Sequence, residues 1–227
     1  MFVPAPTIRE FSDRTVDPNI VGFLHAPEVS NGSAIVLTHG AGGNAQAPLL
    51  RALAETFSDR GFTVLRCNLP YRQIRSFGPP GPADAARDRA GLKNAVEAMK
   101  QLISEGRVFL GGHSYGGRQS SMLCAEEPGL VGGLLLLSYP LHPPRKPEQQ
   151  RTQHLPDLRT PALFVHGTHD PFASIAELQQ AIKMVPAKTK LLEVESAGHD
   201  LGFKGKAKRE ELPQQIVEAF TALTTLK

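Results

Sequence analysis

Four short segments of the chain are almost continuously apolar, which is typical of strands that are buried on both faces of a parallel sheet. They are SAIVLTHG (33–40), RVFLGG (107–112), GLLLLS (133–138) and ALFVHG (162–167). Two further segments, FTVLRC (62–67) and KLLEVES (190–196), are predicted as strands of the same sheet. TIREF (7–11) and NIVGFLHAP (19–27) indicate two more strands at its N-terminal edge.

Amphipathic segments separate these strands. Their apolar residues recur at the spacing that places them on one face of a helix. The first three segments end at Gly61, Gly106 and Pro186, and Pro48 stands where a first helical turn tolerates proline. The apolar positions are Leu49, Leu50, Leu53, Ala54 and Phe57; Leu92, Val96, Met99 and Ile103; Leu178, Ile182 and Val185; and Leu212, Ile216, Val217, Phe220 and Leu223.

The alternation of strands and helices predicts the α/β fold class. We expect one domain over residues 1–227, with a mostly parallel sheet and helices on both faces. Residues 68–84 and 139–161 are rich in proline and glycine, and we interpret both as loops because strands resume on either side. The prolines of the second loop oppose a helical cap, so no large lid is expected there.

The composition narrows the function classes. The chain has 227 residues, of which 41% are hydrophobic and 6% aromatic, and its formal net charge is only +3. These values are ordinary for a globular protein and favour neither a nucleic-acid nor a membrane partner. The basic run KGKAKR (204–209) is a local exception, which we interpret as a solvated loop, with anion contact as the alternative.

Two sequence features bear on the compartment. MFVPAPTIREF (1–11) lacks a basic region followed by an apolar stretch, and no segment approaches the roughly 18 uninterrupted apolar residues of a membrane span. We therefore expect a cytoplasmic protein. Cys67 and Cys124 each lie in an apolar segment, and we expect both to be reduced thiols in the core.

One serine stands in a context that favours chemistry. GGHSYGGRQ (111–119) follows a predicted strand and precedes a helix-like stretch, so Ser114 is expected at a sharp strand-to-helix turn. Gly112 and Gly116 permit the close backbone approach that such a turn demands. The G-x-S-x-G pattern alone is weak, because chance can supply it in a chain with 21 glycines. The predicted strand, turn and helix around Ser114 are therefore the main evidence that it is a nucleophile.

A serine hydroxyl needs an imidazole to remove its proton and a carboxylate to orient that imidazole. Asp170 follows the next-to-last predicted strand and His199 follows the last one. The carboxyl ends of parallel strands share one edge of the sheet, so both side chains are expected beside Ser114. The chain order Ser, Asp, His agrees with that placement.

A loop of small residues, THGAGGN (38–44), ends at the same predicted edge. We assign the backbone N–H groups of Ala41 and Tyr115 as donors to a developing oxyanion. A phosphate or dinucleotide site has little support, because no Lys-Ser/Thr pair follows either glycine loop and no G-x-G-x-x-G occurs. No metal-ligand spacing occurs either. We therefore expect neither a cofactor nor a metal.

Four motifs together resemble the α/β-hydrolase superfamily over nearly the full chain. They are HGAGG (39–43), GHSYGG (112–117), GTHDP (167–171) and AGHD (197–200). The chain is most similar to the small, lidless branch near the dienelactone-hydrolase-like proteins. This resemblance implies a serine hydrolase that cleaves a small ester, thioester or related acyl bond through an acyl-enzyme. Dienelactone hydrolases proper use cysteine at the position of Ser114, so their substrate is not implied here.

Several interpretations stay open. The chain could be a partner-binding module that keeps the hydrolase fold without turnover. Asp170 could be the carboxylate of a turn, with Asp200 or Asp157 as the acid. His199 could belong to a surface loop, and His142 could line the pocket or face solvent. The sequence does not predict the oligomeric state.

Two basic loops also allow two interpretations. Residues 66–83 contain Arg66, Arg72 and Arg75, and residues 139–160 carry further basic side chains. Both loops follow strands that are expected to end at the active edge. They could recognise an anionic group on the substrate, or they could be ordinary solvated loops.

Overall fold

The computed structural model describes residues 7–103, 105–203 and 210–225, and within them eight strands form one sheet. The strands are β1 (Thr7–Asp13), β2 (Ile20–Ala26), β3 (Ser33–Thr38), β4 (Thr63–Cys67), β5 (Arg107–His113), β6 (Leu134–Leu137), β7 (Ala162–Gly167) and β8 (Thr189–Val194). All eight lie where the apolar patterns predict strands. Their order across the sheet is β1-β2-β4-β3-β5-β6-β7-β8.

The described helices are α1 (Pro48–Asp59), α2 (Pro70–Ile74), α3 (Asp84–Ile103), α4 (Tyr115–Glu126), α5 (Ile175–Ile182) and α6 (Leu212–Thr224). Four of them cover the amphipathic segments and α4 follows Ser114, as predicted. The sequence analysis misses α2 and a 3₁₀ turn at Leu155–Asp157, both of which lie in predicted loops. Neither element is long enough to show a helical period.

The pairing of the strands confirms a mostly parallel sheet. β1 pairs antiparallel with β2, and β2 pairs antiparallel with β4. All remaining pairs, from β4 through β8, are parallel. The carboxyl ends of these six strands therefore meet at one edge, with β5 between β3 and β6.

Apolar side chains of the central strands enter two cores, one on each face of the sheet. In β6, Leu134 and Leu136 pack into the core that α3, α4 and α5 cover, whereas Leu135 and Leu137 pack into the core under α1 and α6. All four side chains are 0% exposed. This double burial explains why the strand sequence is continuously apolar. The chain is thus a single α/β domain with helices on both faces.

The connection from residue 139 to 161 packs into the body of the domain. Tyr139, Leu141, Leu155 and Leu158 are buried in the core beneath α3, α4 and α5. Within this connection the 3₁₀ turn is the one helical element that the structure describes. These apolar contacts draw the segment onto the sheet layer, and the expectation of no large cap agrees with that geometry.

Three smaller expectations can be compared with the structure. Cys67 and Cys124 are free and buried, as predicted, and burial raises the pKa of each thiol to about 12. None of the described helices combines the length and the apolar character needed to cross a membrane. The run KGKAKR (204–209) lies outside the described residues.

The double burial of β6 leads to a stability prediction. Leu136→Ala should lower the free energy of unfolding by about 2–5 kcal/mol, because it removes apolar contacts and leaves a cavity. Leu102→Ala is the matched control, since Leu102 is 46% exposed, and it should change the free energy by no more than about 0.5 kcal/mol. Urea unfolding at neutral pH measures both. Equal losses in the two variants would contradict this assignment of the core.

Candidate active site

Ser114 lies at the turn between β5 and α4, where the sequence predicts it. Its backbone has φ 51° and ψ −116°, a conformation that costs a non-glycine residue on the order of 1–3 kcal/mol. Two hydrogen bonds hold it there: the Ser114 N–H donates to the Leu137 carbonyl at 2.8 Å, and the Ser114 carbonyl accepts from the Arg118 N–H at 2.9 Å. The hydroxyl is therefore fixed at the tip of the turn.

Close contacts require the glycines around this turn. A Cβ on Gly112 would stand 2.6 Å from the Gly117 nitrogen, and a Cβ on Gly116 would stand 2.5 Å from the His39 carbonyl oxygen. Both distances are shorter than nonbonded atoms tolerate. The turn therefore packs on itself and directly against the loop after β3, as the role predicted for Gly112 and Gly116 implies.

His199 lies between the two other predicted residues. Its Nε2 is 2.8 Å from Ser114 Oγ, and its Nδ1 is 2.8 Å from Asp170 Oδ2. A carboxylate can only accept, so Nδ1 carries the proton and donates it to Asp170. Nε2 is then left as the acceptor for the serine hydroxyl. In this tautomer the imidazole can take the hydroxyl proton, and both of its nitrogens have partners other than Asp200 or Asp157.

Asp170 is both the carboxylate of a turn and the partner of His199, the two interpretations that the sequence leaves open. Its Oδ1 accepts from the Phe172 N–H at 2.9 Å, which is the turn contact expected of an aspartate before proline. Its Oδ2 faces His199, and its side chain is fully buried. The turn fixes the carboxylate, so one oxygen serves the backbone while the other orients the imidazole.

Three contacts fix the imidazole and the segments around it. The His169 N–H after β7 donates to the Ala197 carbonyl after β8 at 2.9 Å. His113 Nε2 is 2.7 Å from the His199 carbonyl oxygen, so this nitrogen is the donor. The Phe172 ring lies 4.1 Å from the His199 ring, centroid to centroid. The loops that carry Ser114, Asp170 and His199 are therefore linked to one another.

Arg72 supports the small-residue loop, a role that the sequence analysis misses. Its Nε donates to the Gly43 carbonyl at 2.8 Å, and its Nη2 donates to the carbonyls of Ala41 and Gly78, both at 2.9 Å. The residue is 7% exposed and belongs to α2. The guanidinium therefore stabilises the backbone of the loop that carries Ala41.

Arg66, on the strand that precedes α2, has a similar structural role. It belongs to β4, is 2% exposed, and donates to His25 Nε2 at 2.8 Å and to the Ala45 carbonyl. The Ala45 N–H in turn donates to Asn68 Oδ1 at 2.8 Å. The expectation that Arg66 and Arg72 belong to a solvated or substrate-binding loop is therefore wrong. Solvent exposure cannot be inferred from loop-like composition alone.

The two expectations for His142 are also wrong. His142 is 5% exposed and is not among the described residues of the pocket. Its N–H donates to the Phe172 carbonyl at 3.1 Å, and its Nδ1 is 2.8 Å from the Pro143 carbonyl oxygen. It therefore holds the connection after β6 against the segment that carries Phe172.

A pocket of about 570 Å³ opens over Ser114. This volume lies in the range of roughly 300–1,000 Å³ that is usual for small-molecule sites. Its wall is mainly apolar or backbone, and among the described residues no lysine or arginine lines it. The connection from 139 to 161 supplies none of its described lining. The lining residues are His39, Gly40, Ala41, Gly42, Gly43, Asn44, Gln46, Ala47, Pro48, Leu49, Leu50, His113, Ser114, Phe172, His199, Asp200 and Phe203.

Within the described part of the chain, no group of three or more His, Cys, Asp or Glu side chains is placed to hold a metal ion. The histidines near Ser114 instead bond to backbone carbonyls, to Asp170 or to the serine itself.

Comparison with known proteins assigns the chain to a family. Residues 31–225 match the model of the alpha/beta hydrolase domain, and the chain belongs to that family. A solved dienelactone hydrolase from Anabaena variabilis is similar, with 20% identity, a TM-score of 0.78, and coverage of 98% of this chain and 100% of that chain.

Two other solved structures share the fold. A homologue of alpha-beta serine hydrolases from Coxiella burnetii has 16% identity and a TM-score of 0.74, over 93% of this chain and 96% of its own. A serine hydrolase without a lid from Xanthomonas campestris has 15% identity and a TM-score of 0.69, over 100% and 99%. At these identities the likeness concerns the fold, and it agrees with the absence of a cap among the described residues.

The buried histidines lead to a prediction about acid stability. Burial, assisted by nearby arginines, lowers the pKa of His25 to about 4, whereas the unfolded side chain titrates near 6.5. The unfolded state therefore binds a proton at pH 5 that the folded state does not, and stability is lost as the pH falls from about 6.5 to about 4. Burial likewise lowers the pKa values of His39 and His154 to about 4.

His25→Gln keeps an acceptor for Arg66 but removes this titration. Near pH 5 the slope of unfolding free energy against pH should fall by about 1.4 kcal/mol per pH unit, the contribution of one proton. Urea unfolding at half-unit steps from pH 4.5 to 7 measures the slope. A variant slope equal to that of the wild type would contradict the assignment.

Proposed function

We propose that the protein is a serine hydrolase that cleaves a small ester, thioester or related acyl bond through an acyl-enzyme. The observation that carries this proposal is the continuous hydrogen-bonded chain from Ser114 Oγ through His199 to Asp170, with 2.8 Å at both links. Membership of the alpha/beta hydrolase domain family and the fold shared with serine hydrolases support it.

The first half-reaction starts at the serine hydroxyl. Ser114 Oγ attacks the acyl carbon while His199 Nε2 takes the hydroxyl proton, and the imidazolium is stabilised by the Asp170 carboxylate. The tetrahedral intermediate collapses when the bond to the leaving group breaks, and His199 Nε2–H protonates that group. Water then attacks the acyl-enzyme while His199 Nε2 takes its proton, and His199 returns this proton to Ser114 Oγ as the bond from the acyl carbon to the serine breaks and the acid leaves.

The negative charge of the tetrahedral intermediate requires donors aimed at its oxygen. We assign this role to the backbone N–H groups of Ala41 and Tyr115. Ala41 lines the pocket beside Ser114, and Tyr115 is the first residue of α4, where the N–H groups of a helix are free of intrahelical partners.

The described lining of the pocket favours an uncharged acyl group. Its apolar part includes Ala47, Leu50, Phe172 and Phe203, and its charged part includes the carboxylate of Asp200. Arg66 and Arg72 do not line the pocket, because their guanidinium groups donate to backbone carbonyls, those of Ala41 and Gly43 in the case of Arg72. An anionic substituent would thus meet no described cation in the pocket and would lose its hydration there.

The alternative is a partner-binding module that keeps the fold without turnover. The strained backbone of Ser114 argues for chemistry, because binding alone does not require a serine in that conformation with an imidazole at 2.8 Å. A fluorophosphonate probe separates the two functions, since it labels an activated serine. Failure of Ser114 to react would favour the module.

Substitution of the three residues tests the mechanism. Ser114→Ala and His199→Ala should each lower kcat by about 10⁴-fold or more, and Asp170→Asn should lower it by roughly 10³-fold because the imidazole loses its orienting charge. The assay is hydrolysis of p-nitrophenyl acetate, with circular dichroism to confirm folding. Asp157→Asn is the matched control, since Asp157 is exposed on the 3₁₀ turn, and it should retain wild-type rates. A wild-type rate in Asp170→Asn would assign the role of the acid to another residue.

The acyl group can be varied in length and charge to test the substrate class. Along p-nitrophenyl esters from acetate to palmitate, kcat/KM should not rise steadily, because no cap among the described residues covers the pocket and a long tail that stays in water gains none of the about 0.8 kcal/mol per buried methylene. A neutral ester should also be cleaved faster than its carboxylate-bearing analogue at both low and high salt. A steady rise towards palmitate, or a preference for the anionic ester that salt weakens, would contradict the proposed acyl site.

A further inference from the structure

A buried carboxylate outside the pocket links the two segments that carry the proposed oxyanion donors. Asp88, on α3, is 0% exposed. Its Oδ2 accepts from the hydroxyl of Tyr115 at 2.7 Å, and its Oδ1 accepts from the N–H of Tyr71 at 3.0 Å. Tyr115 is itself one of the proposed donors, through its backbone, and Tyr71 belongs to α2.

Tyr71 extends this link to the other donor. Its hydroxyl lies 2.8 Å from the Ala41 carbonyl oxygen and 3.3 Å from the Gly40 carbonyl oxygen. The side chain is 1% exposed, so these carbonyls are its available partners. A continuous chain of contacts therefore runs from the loop after β3 through Tyr71 and Asp88 to Tyr115.

The anchored carbonyl of Gly40 determines where the Ala41 N–H points. In a trans peptide the C=O and N–H of the same unit point in opposite directions. The Gly40 carbonyl receives the N–H of Gly43 at 3.0 Å, Nδ1 of His39 at 2.9 Å and the more distant hydroxyl of Tyr71. Because these donors hold the carbonyl on one side, the Ala41 N–H is directed to the opposite side.

His39 can make its contact in only one protonation state. The Leu69 N–H donates to its Nε2 at 3.1 Å, so the ring proton must sit on Nδ1, which then donates to the Gly40 carbonyl. Burial lowers the pKa of His39 to about 4, which keeps this neutral tautomer in place at neutral pH. The orientation of the Gly40 peptide is therefore stable over the pH range of ordinary assays.

We propose that Asp88 and Tyr71 are positioning residues that fix the separation and orientation of the Ala41 and Tyr115 amide donors. Asp88 touches neither Ser114 nor the pocket, and it acts through the two tyrosines. This inference rests on the proposed function, since it assigns the two amides to an oxyanion site. It predicts that breaking the bridge weakens transition-state stabilisation and leaves the binding of the substrate intact.

Tyr115→Phe and Asp88→Asn both remove the charge-assisted hydrogen bond between Tyr115 and Asp88 with little change in volume, and in Asp88→Asn only a weaker neutral contact from the amide N–H to the Tyr115 hydroxyl oxygen can replace it. The asparagine keeps an oxygen for the Tyr71 N–H. Each variant should lower kcat for p-nitrophenyl acetate by roughly 10-fold with KM within about twofold, since small misplacements of catalytic groups reduce the rate steeply. The double variant should be no slower than the slower single variant, because both remove one interaction.

Arg87→Gln is the matched control on the same helix. Arg87 pairs with Asp17 and is half-exposed, so its loss should leave kcat and KM unchanged. A purely structural role for Asp88 predicts a different result, namely a lower unfolding midpoint with an unchanged kcat per folded molecule. That result, or a double variant that multiplies the two single effects, would overturn the proposal.

A second measurement distinguishes failure of this inference from failure of the proposed function. Fluorophosphonate labelling of the wild type, with Ser114→Ala as the blank, tests whether Ser114 is activated; no labelling overturns the proposed function. Hydrogen exchange then still tests the bridge: Asp88→Asn and Tyr71→Phe should speed amide exchange in peptides that cover residues 39–45, and Arg87→Gln should not. Unchanged exchange in the first two variants, or wild-type labelling rates in both when the wild type reacts, overturns the inference.

Discussion

The strained turn at Ser114 is the constraint on which the rest of the site depends. A serine at φ 51° persists only when its surroundings hold it, and here the holding groups belong to neighbouring elements. The Leu137 carbonyl at the end of β6 accepts from the Ser114 N–H, and the Arg118 N–H in the first turn of α4 donates to the Ser114 carbonyl. The turn therefore depends on the parallel register between β5 and β6, which fixes where that carbonyl stands.

The loop after β3 is subject to a second constraint. It has almost no side chains, so other parts of the protein must hold its backbone in place. Residues 40–43 are Gly, Ala, Gly and Gly, so the loop cannot anchor itself by apolar packing. Tyr71 and Arg72 from α2 donate instead to its carbonyls, and His39 donates to the first of them. A backbone with little intrinsic order thus gains fixed geometry from buried donors, two of which follow β4 while His39 follows β3.

The strand-end rule allowed much of this to be predicted from the sequence. Continuous apolar runs located the central strands, and placing Asp170 and His199 after β7 and β8 was enough to bring both towards Ser114. The supporting residues were not predictable in the same way. Asp88 lies four residues before Leu92 on the apolar face of α3, but a carboxylate at that position does not reveal which groups it bonds to, and Arg72 lies in a segment rich in proline and glycine. Their partners come from other elements of the fold, Tyr71 and Tyr115 for Asp88 and the carbonyls of the loop after β3 for Arg72, and a single sequence does not show which elements meet.

The packing of residues 139–161 has a consequence for how a ligand would reach the pocket. Tyr139, Leu141, Leu155 and Leu158 tie this connection into the core, so it is already ordered before any ligand arrives. The described walls of the pocket likewise belong to anchored loops and to the start of α1. Binding to these described walls therefore requires no loop ordering from them, and the ligand meets a site that is already formed. Selectivity at the described walls comes from their fixed shape, because none of the residues in 7–103, 105–203 and 210–225 forms a flap over the pocket.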